Sequence, residues 1–442
     1  MGLELEAVGD LALHVILTKL GPKDTATAAC VSKKLRSSAS AESLWSKFCS
    51  QDLDLKHPLD PLGNPTPSFK KSYQIWREAF GMYPWLLVMR VKRCLGRLKN
   101  WLGINFPEAE ATLRKGASEA DIQHLERILK VKLPLPTRIL YRFCDGQEFT
   151  ARQYADETLL GLIGGYSFYD HVVNVYLFPL REVILKTKAV VRHLGFSNKS
   201  KYIVVAGSAY ASKLFFLNCT TGQLYVGTAN LPTDGEMIPC VPKELISSVH
   251  DFNGDQQQDA MLLWLEEHGR RLENGIIKLR EEENIRSISL FPEEPPLCST
   301  AITNGVKVRA SAVFIPEAAA NAQKDHAKYT FSYSIRMSLQ PEGCIIDGIP
   351  FSSCQLHWRH WIIRAYDRIV SEVNDEAVIG KFPLLHPGEK EFVYESCTPL
   401  SASSGSIEGS FTFVPGRLTD PKGAPFKVKV ATVALHLPDY IF

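Results

Sequence analysis

Apolar residues in the first stretch of the chain recur at helical spacing. Leu13, Ile16, Leu17 and Leu20 follow an i, i+3, i+4, i+7 pattern, which is one face of a helix. Gly21-Pro22 is expected to stop it, and Asp24 stands where it can cap a second helix with Ala28, Val31 and Leu35 on one side. Ser40 can cap a third, with Glu42 near its positive end and Leu44, Trp45 and Phe48 facing inward. Three helices this short bury little surface alone, so the unit is expected to lean on a neighbour. A Pro/Gly-rich break follows at 57–68, and helical spacing resumes with Tyr73, Trp76 and Phe80, then Leu87, Val91, Leu95, Leu98 and Leu102.

Ser118 opens another helix with Ile122, Leu125 and Leu129 on one face and Glu119 and Asp121 in its first turn. Pro136 starts the next, with Ile139, Leu140 and Phe143 inward and Gly146 at the C-terminal cap position. From about residue 159 the period shifts towards strands, and Thr220-Thr221-Gly222 reads as a hairpin turn. Residues 118–255 therefore read as α+β, helices first. Met261, Leu265, His268, Leu272, Ile276 and Leu279 predict one long amphipathic helix over 257–284, packed on the preceding domain. "PEEPP" at 292–296 marks a last linker. After it come period-2 segments such as "VKVRASAVFIP", "YTFSYSIRMSL" and "FKVKVATVALHL", which indicate an antiparallel sandwich or barrel.

Composition adds modest constraints. The chain has 442 residues, 45% hydrophobic and 22% charged, as an ordinary globular protein of several domains would. Net charge is +2, but residues 19–115 carry 17 Lys/Arg against 8 Asp/Glu, a local excess of 17 − 8 = +9. Such asymmetry permits an acidic partner without naming one. The basic set Arg90, Lys92, Arg93, Arg97 and Lys99 has two readings, a membrane-surface or calmodulin-like helix and a packed connector with a solvated face. The second is the commoner arrangement. None of the 10 cysteines forms a CxxC pair, and the start "MGLELEAVGD" lacks the features of a secretory signal. Reduced thiols in cytoplasm or nucleus are the expectation. Apolar runs such as "WLLVM" are far shorter than the ~20 residues of a membrane span.

Candidate chemistry is sparse. Cys354, His357 and His360 form the best metal-ligand spacing, but strand alternation sends Cys354 and His360 to one face and His357 to the other. No G-x-S-x-G, HExxH or papain-like cysteine context is present, and Cys144 reads as a core thiol. Gly161, Gly164 and Gly165 precede aromatic strand residues rather than a helix, so turn geometry explains them better than phosphate binding. The aromatics near the basic patch, Trp45 and Phe48, lie on apolar faces, which disfavours nucleic-acid binding. No catalytic residue, metal or cofactor is assigned.

The helical pattern resembles the F-box. Ile16-Leu17, Leu20, Pro22-Lys23-Asp24, Val31-Ser32-Lys33 and Leu44-Trp45 follow that family's order. Two positions depart from it: Val8-Gly9 stands in place of Leu-Pro, and Leu35 in place of the second-helix Trp. The middle region is similar to the SUKH superfamily through "GASEADIQHLERIL", "LPLP", "FCDGQ" and "VVAGSAYASKLFFLNCTTGQLY". Residues 305–438 resemble ApaG, through "CQLHWRHWII" and "IGKFPLLHPGEKEFVYESC" among others, implying a fibronectin/immunoglobulin-like sandwich. Many ApaG members carry G-x-G-x-x-G where this chain has Asp375 to Gly380. Two glycines are gone, and Asp375 and Glu376 occupy the place a phosphate would approach.

The resemblances imply a multidomain α+β chain: F-box 1–56, helical connector 57–105, SUKH-like domain with trailing helix 106–290, linker 291–297 and ApaG domain 298–442. They imply a non-catalytic substrate receptor of an SCF-type ubiquitin ligase. Its partners would be a Skp-family adaptor, through that a cullin and a RING subunit, and target proteins, with no nucleic acid and no membrane. The adaptor-facing candidates are Val8, Leu13, Ile16, Leu17, Leu20, Pro22, Val31, Leu44 and Trp45, of which Leu20, Val31 and Trp45 are expected to be mostly core. The target-facing candidates are Asp375, Glu376, Gly380, His386, Gly388 and Glu389. The competing expectation is a scaffold or ligand sensor outside the ubiquitin system.

Overall fold

A computed structural model of the chain describes residues 8–148, 159–168, 171–194, 201–208, 213–228, 237–253, 256–282, 285–319, 329–439 and 441. The first helix, α1 (Asp10–Ala28), is two helical segments joined at a kink: the first stops at Gly21-Pro22, as its sequence predicts. Gly21 adopts φ 78°, a left-handed conformation open to it because it has no Cβ, and Pro22 opens the second half. The Thr25 hydroxyl donates to the Leu17 carbonyl across the bend at 2.8 Å. The second segment opens at Pro22 rather than at an Asp24 cap and ends at Ala28, so the expected helix carrying Ala28, Val31 and Leu35 on one side is broken. The chain turns at 29–32, Ser32 caps α2 (Lys33–Ser38), and Val31 is stranded in the turn. Helix α3 (Glu42–Leu53) follows without a side-chain cap, and Ser40 instead accepts from Lys70 Nζ at 2.9 Å.

Helices α4 (Phe69–Phe80) and α5 (Trp85–Asn105) bury the faces their phasing predicts: Tyr73, Trp76 and Phe80, then Leu87, Val91, Leu95, Leu98 and Leu102. The short α6 (Pro107–Glu110) follows, then α7 (Glu119–Leu129), which starts from a Ser118–Asp121 capping box. Helix α8 (Leu135–Phe143) packs on α5, and its Phe143 stacks on Phe80 of α4 at 4.5 Å. It ends at a Cys144 cap, so Gly146 lies two residues beyond the cap position expected for it.

An eight-stranded sheet follows, made of β1 (Gly164–Phe168), β2 (His171–Leu177), β3 (Tyr202–Ser208), β4 (Leu214–Asn218), β5 (Leu224–Gly227), β6 (Ile238–Pro239), β7 (Lys278–Glu282) and β8 (Ile285–Ser289). Its order is β6-β5-β4-β3-β2-β1-β8-β7, antiparallel except where β1 meets β8 at Gly165 and Ser289. Helix α9 (Leu180–Leu194) packs on β3. The 161–165 glycines are explained here: a Cβ on Gly165 would stand 1.6 Å from the Val173 carbonyl oxygen, so neighbouring backbone excludes any side chain. Helix α10 (Ala260–Glu273) is much shorter than its pattern predicts. Gly275 turns the chain at φ 67°, and Leu279 belongs to β7, paired with Ile288.

The C-terminal part is built from β9 (Cys298–Thr303), β10 (Val306–Phe314), the single-turn α11 (Pro316–Ala319), β11 (Tyr329–Leu339), β12 (Cys344–Ile346), β13 (Ile349–Phe351), β14 (Cys354–Ala365), β15 (Arg368–Glu376), β16 (Leu384–Leu385), β17 (Phe392–Leu400), β18 (Ser404–Arg417), β19 (Asp420–Pro421) and β20 (Phe426–His436). One sheet runs β17-β11-β10-β9; the other carries β15-β14-β18, with β20 also on β18 and β16 on β14. Their inward rows, including Val308, Ile335, Trp361, Phe411 and Val428, share one core. A second core is continuous from Leu13 in α1 through α5 to β8. The N-terminal helices thus lean on the middle of the chain, as their size requires.

The segment expected to be a plain linker is a joint. Phe291 is fully buried, and Glu293 contacts Arg280 on β7 and Arg309 and Arg336 on the sandwich.

Candidate docking surfaces

The N-terminal helices separate apolar residues that hold the module together from apolar residues that stay in water. Leu13, Leu17, Leu35, Leu44, Trp45 and Phe48 are buried, and Trp45 Nε1 donates to the Ala39 carbonyl at 2.7 Å. Ile16, Pro22 and Val8 are half-buried, and Val8 offers its carbonyl to Lys34 Nζ at 3.2 Å. Leu20 is 46% and Val31 72% exposed, so neither is core. Leu20 is the last residue before the kink at Gly21, and Val31 is in a turn rather than a helix.

Two exposed residues escaped the sequence reading. Leu11 is 81% and Val15 52% exposed, one turn apart on α1, with the next apolar pair, Leu13 and Leu17, buried. Their i, i+4 spacing was the available signal, but the Leu13 pattern masks it. Lys19, Lys23, Lys33, Lys34, Arg36 and Lys47 are also solvent-facing in this module.

This module is fixed to the rest of the molecule. Glu42 accepts the Phe69 amide at 2.6 Å, Tyr73 donates to Asp52 at 2.6 Å, and Trp85 Nε1 donates to the Asp52 carbonyl at 3.1 Å. The basic residues of α5 continue the attachment. Arg90 pairs with Glu266 of α10 through two bonds of 2.8 and 2.7 Å, Arg97 pairs with Glu273, and Lys92 donates to the Leu53 carbonyl. Arg90 and Lys92 therefore face protein, while Arg97 stays largely in solvent although it is paired. A Cβ on Gly269 would touch Leu98 at 3.3 Å, which shows how closely α10 lies on α5.

In the C-terminal sandwich the target-facing candidates fall into two recesses. Asp375, Glu376 and Gly380 line a cleft of about 540 Å³ walled by Tyr333, Trp361 and Tyr394. His386 and Glu389 line a separate recess of about 290 Å³, and Gly388 forms the adjoining turn at φ 79°. In the first cleft Arg359 pairs with Asp375 at 3.1 Å and donates to the Glu376 and Ala377 carbonyls at 3.0 and 2.6 Å. The amides of Val378 and Lys381 bond to each other's carbonyls at 3.0 and 2.8 Å. Neither amide is offered to an anion.

The Cys354–His360 segment departs from simple alternation. A bulge between Leu356 and Trp358 reverses the parity of β14, so Cys354 and Trp361 both face the core. His360 then points outward, on the face opposite Cys354, and meets Glu372 at 2.8 Å. Among the described residues no three His, Cys, Asp or Glu side chains are grouped to hold a metal, and no helix is long and apolar enough to cross a membrane. Burial pushes the Cys144 thiol up to about 11, and those of Cys49 and Cys94 up to about 12, so these thiols stay protonated.

Comparison with known proteins adds the following. A family model described as F-box domain matches residues 10–47, and one described as ApaG domain matches residues 319–415. The chain is 62% identical over 440 residues to F-box protein SKIP16 of Arabidopsis thaliana, covering 99% of this chain and 100% of that protein. It is 25% identical over 420 residues to F-box only protein 3 of Homo sapiens, covering 93% of this chain and 79% of that protein. Protein ApaG of Bradyrhizobium diazoefficiens is 33% identical over 139 residues, covering 31% of this chain and 93% of that protein.

Proposed function

The chain belongs to the F-box proteins, with an F-box domain at its N-terminal end and an ApaG domain at its C-terminal end, and from that premise we propose that it is the substrate-recognition subunit of an SCF-type ubiquitin ligase. The F-box docks a Skp-family adaptor, which links the chain to the cullin and RING subunits. The middle domain, read as SUKH-like, and the ApaG domain hold the target, with Asp375, Glu376, Gly380, His386, Gly388 and Glu389 as candidate contacts. The chain makes no bond itself. It acts by raising the local concentration of a target lysine near a charged conjugating enzyme. Cytoplasm and nucleus are the expected compartments.

The observation that carries this reading is the division within the F-box. Leu13, Leu17, Leu35, Leu44 and Trp45 build a core, while Leu11, Val15, Leu20 and Val31 remain in solvent. An adaptor-facing role is accordingly assigned to the exposed four, and the buried members of the sequence-derived set hold the helices. A second reading, a ligand sensor outside the ubiquitin system, draws support from the aromatic cleft of about 540 Å³ in the sandwich.

Pull-down with purified Skp adaptor and cullin separates the two. Absence of adaptor binding by the wild-type chain sinks the receptor reading. If the adaptor binds, Leu11→Asp combined with Val31→Asp is expected to abolish binding while leaving the circular-dichroism spectrum and melting temperature unchanged. Leu17→Asp is unsuitable for this purpose, because a carboxylate at a 1% exposed position unfolds the module itself.

A further inference from the structure

We propose that the middle domain carries a target-docking groove selective for an acidic peptide segment with one aromatic or aliphatic anchor residue. The groove is formed by the C-terminal end of α7, the 130–133 loop, the β4–β5 turn, the 250–252 loop and the link between α4 and α5. Two concavities of about 450 and 500 Å³ share Glu126, Lys132 and His250 in their walls, so they lie side by side.

The two halves differ in chemistry. The first is lined by Arg127, Lys130, Lys132 and Lys201. Arg127, Lys130 and Lys132 are exposed and form no ion pair among the described residues. Glu126, the carboxylate among them, is buried and already engaged: it accepts the Leu133 amide at 2.9 Å and Arg138 Nη1 at 2.7 Å. It therefore leaves the cationic rim uncompensated. The second half is apolar, with Met82 59% and Phe252 54% exposed over a floor of buried Tyr83, Leu133 and Leu135. Arg138 fixes that floor by bonding Tyr83 at 3.0 Å as well as Glu119 and Glu126. His250 is held by the Cys219 carbonyl at 2.7 Å.

A positive rim beside a recessed apolar floor matches a chain with alternating demands, carboxylates along one stretch and a bulky apolar side chain next to it. The apolar residues lie in a recess, which admits a side chain but not the flat surface of a bilayer. The cations stand to one side of that recess rather than along a track, so a duplex backbone gains little from them. An exposed Met beside Phe252 adapts to more than one anchor shape.

This inference deepens the receptor reading and rests on it for the statement that the peptide belongs to a ligase target. Its test needs no adaptor, so the two can fail separately. Purified full-length chain is titrated, by fluorescence anisotropy, into a labelled dodecapeptide holding four Glu residues followed by a Phe. Parallel titrations use the same peptide with Lys for Glu, the same peptide with Ala for Phe, a duplex DNA and phosphatidylserine vesicles. The expected result is at least tenfold tighter binding of the Glu/Phe peptide than of either control peptide, weakened by added salt. Lys130→Glu with Lys132→Glu should reduce that binding at least tenfold, and Phe252→Ala should remove the preference for Phe over Ala. These positions are exposed, and an unchanged melting temperature confirms the fold. Equal binding of the three peptides, indifference to the substitutions, or tighter binding of DNA or vesicles through the same lysines overturns the proposal.

Discussion

Glu293 lies in the short segment between the middle of the chain and the sandwich, and its side chain is 0% exposed. Its carboxylate faces Arg280 Nε at 2.6 Å, Arg336 Nη1 at 3.1 Å, Lys278 Nζ at 3.2 Å and Arg309 Nη1 at 3.4 Å. Burial alone would raise its pKa, but the hydrogen bond from Arg280 and the fields of Arg336, Arg280 and Lys278 hold it below the ordinary carboxylate value. Two of the cations come from β7 and two from the sandwich, so this one carboxylate joins both parts. Glu391, which bonds Arg309, is the other acid of the group. Leaving aside the exposed Glu294, four cations against Glu293 and Glu391 leave 4 − 2 = +2, and Glu293→Gln raises this to +3 without changing side-chain volume. Removing one partner from a buried ion cluster costs about 3–5 kcal/mol. At roughly 2–4 °C per kcal/mol for a cooperative unit of 150–250 residues, 3 kcal/mol lowers the melting temperature by roughly 6–12 °C. Differential scanning calorimetry of E293Q, with limited proteolysis across residues 290–298, measures this. The neighbouring Glu294 is the internal control: it is 52% exposed and 4.0 Å from Lys278, so E294Q should cost less than about 1 kcal/mol. If E293Q and E294Q melt together within 1–2 °C of wild type (roughly 0.5 kcal/mol on the same scale), the joint is not stabilising and the reasoning is wrong.

Three further outcomes follow from other parts of the fold. His268 is buried on α10, its Nε2 2.9 Å from the Leu162 carbonyl oxygen, and burial lowers its pKa from 6.5 to about 4. The unfolded chain therefore takes up the proton first as pH falls, so stability is retained above pH 6.5 and lost towards pH 4, by up to about 3 kcal/mol. H268Q should flatten that part of a pH series of urea midpoints, and an unchanged slope would refute the assignment. Gly9 adopts φ −62°, which proline shares, and a Cβ there meets nothing within 4 Å. Gly9→Pro is expected to stabilise the chain by about 0.4–1 kcal/mol and to leave adaptor binding intact or tighter, as read by thermal melting and pull-down. If the exposed Lys and Arg residues of the F-box steer an acidic partner, stopped-flow association with the adaptor should slow as salt is added. A salt-independent rate would remove steering from the account.

Much of the architecture was legible in local pattern. The spacing of Tyr73, Trp76 and Phe80, and of Leu87 through Leu102, assigns buried helical faces because a helix must cover its apolar stripe. Alternation in the last third assigns strands for the corresponding reason, and the F-box and ApaG patterns are themselves patterns of this local kind. Where local spacing was continuous but the chain was not, the reading failed. Met261 to Leu279 keep one helical period, yet Gly275 and the vacant edge of β8 divert the second half into β7.

What tertiary structure decided was the use of residues that look alike in sequence. Leu17 and Leu20 share a helical pattern, but packing covers Leu17 and leaves Leu20, the last residue before the kink at Gly21, in solvent. Glu293 and Glu294 are adjacent and identical in type, but only Glu293 is enclosed by cations from two distant parts of the chain. The bulge at His357 sets the faces of Cys354 and His360 apart although their spacing is even. Lys130 and Lys201 line one concavity and Phe252 the adjoining one, from positions up to 122 residues apart (252 − 130). Periodicity reports only how a segment divides between inside and outside. Which apolar face is covered, and which charges are left without a partner, depends on elements brought up from elsewhere.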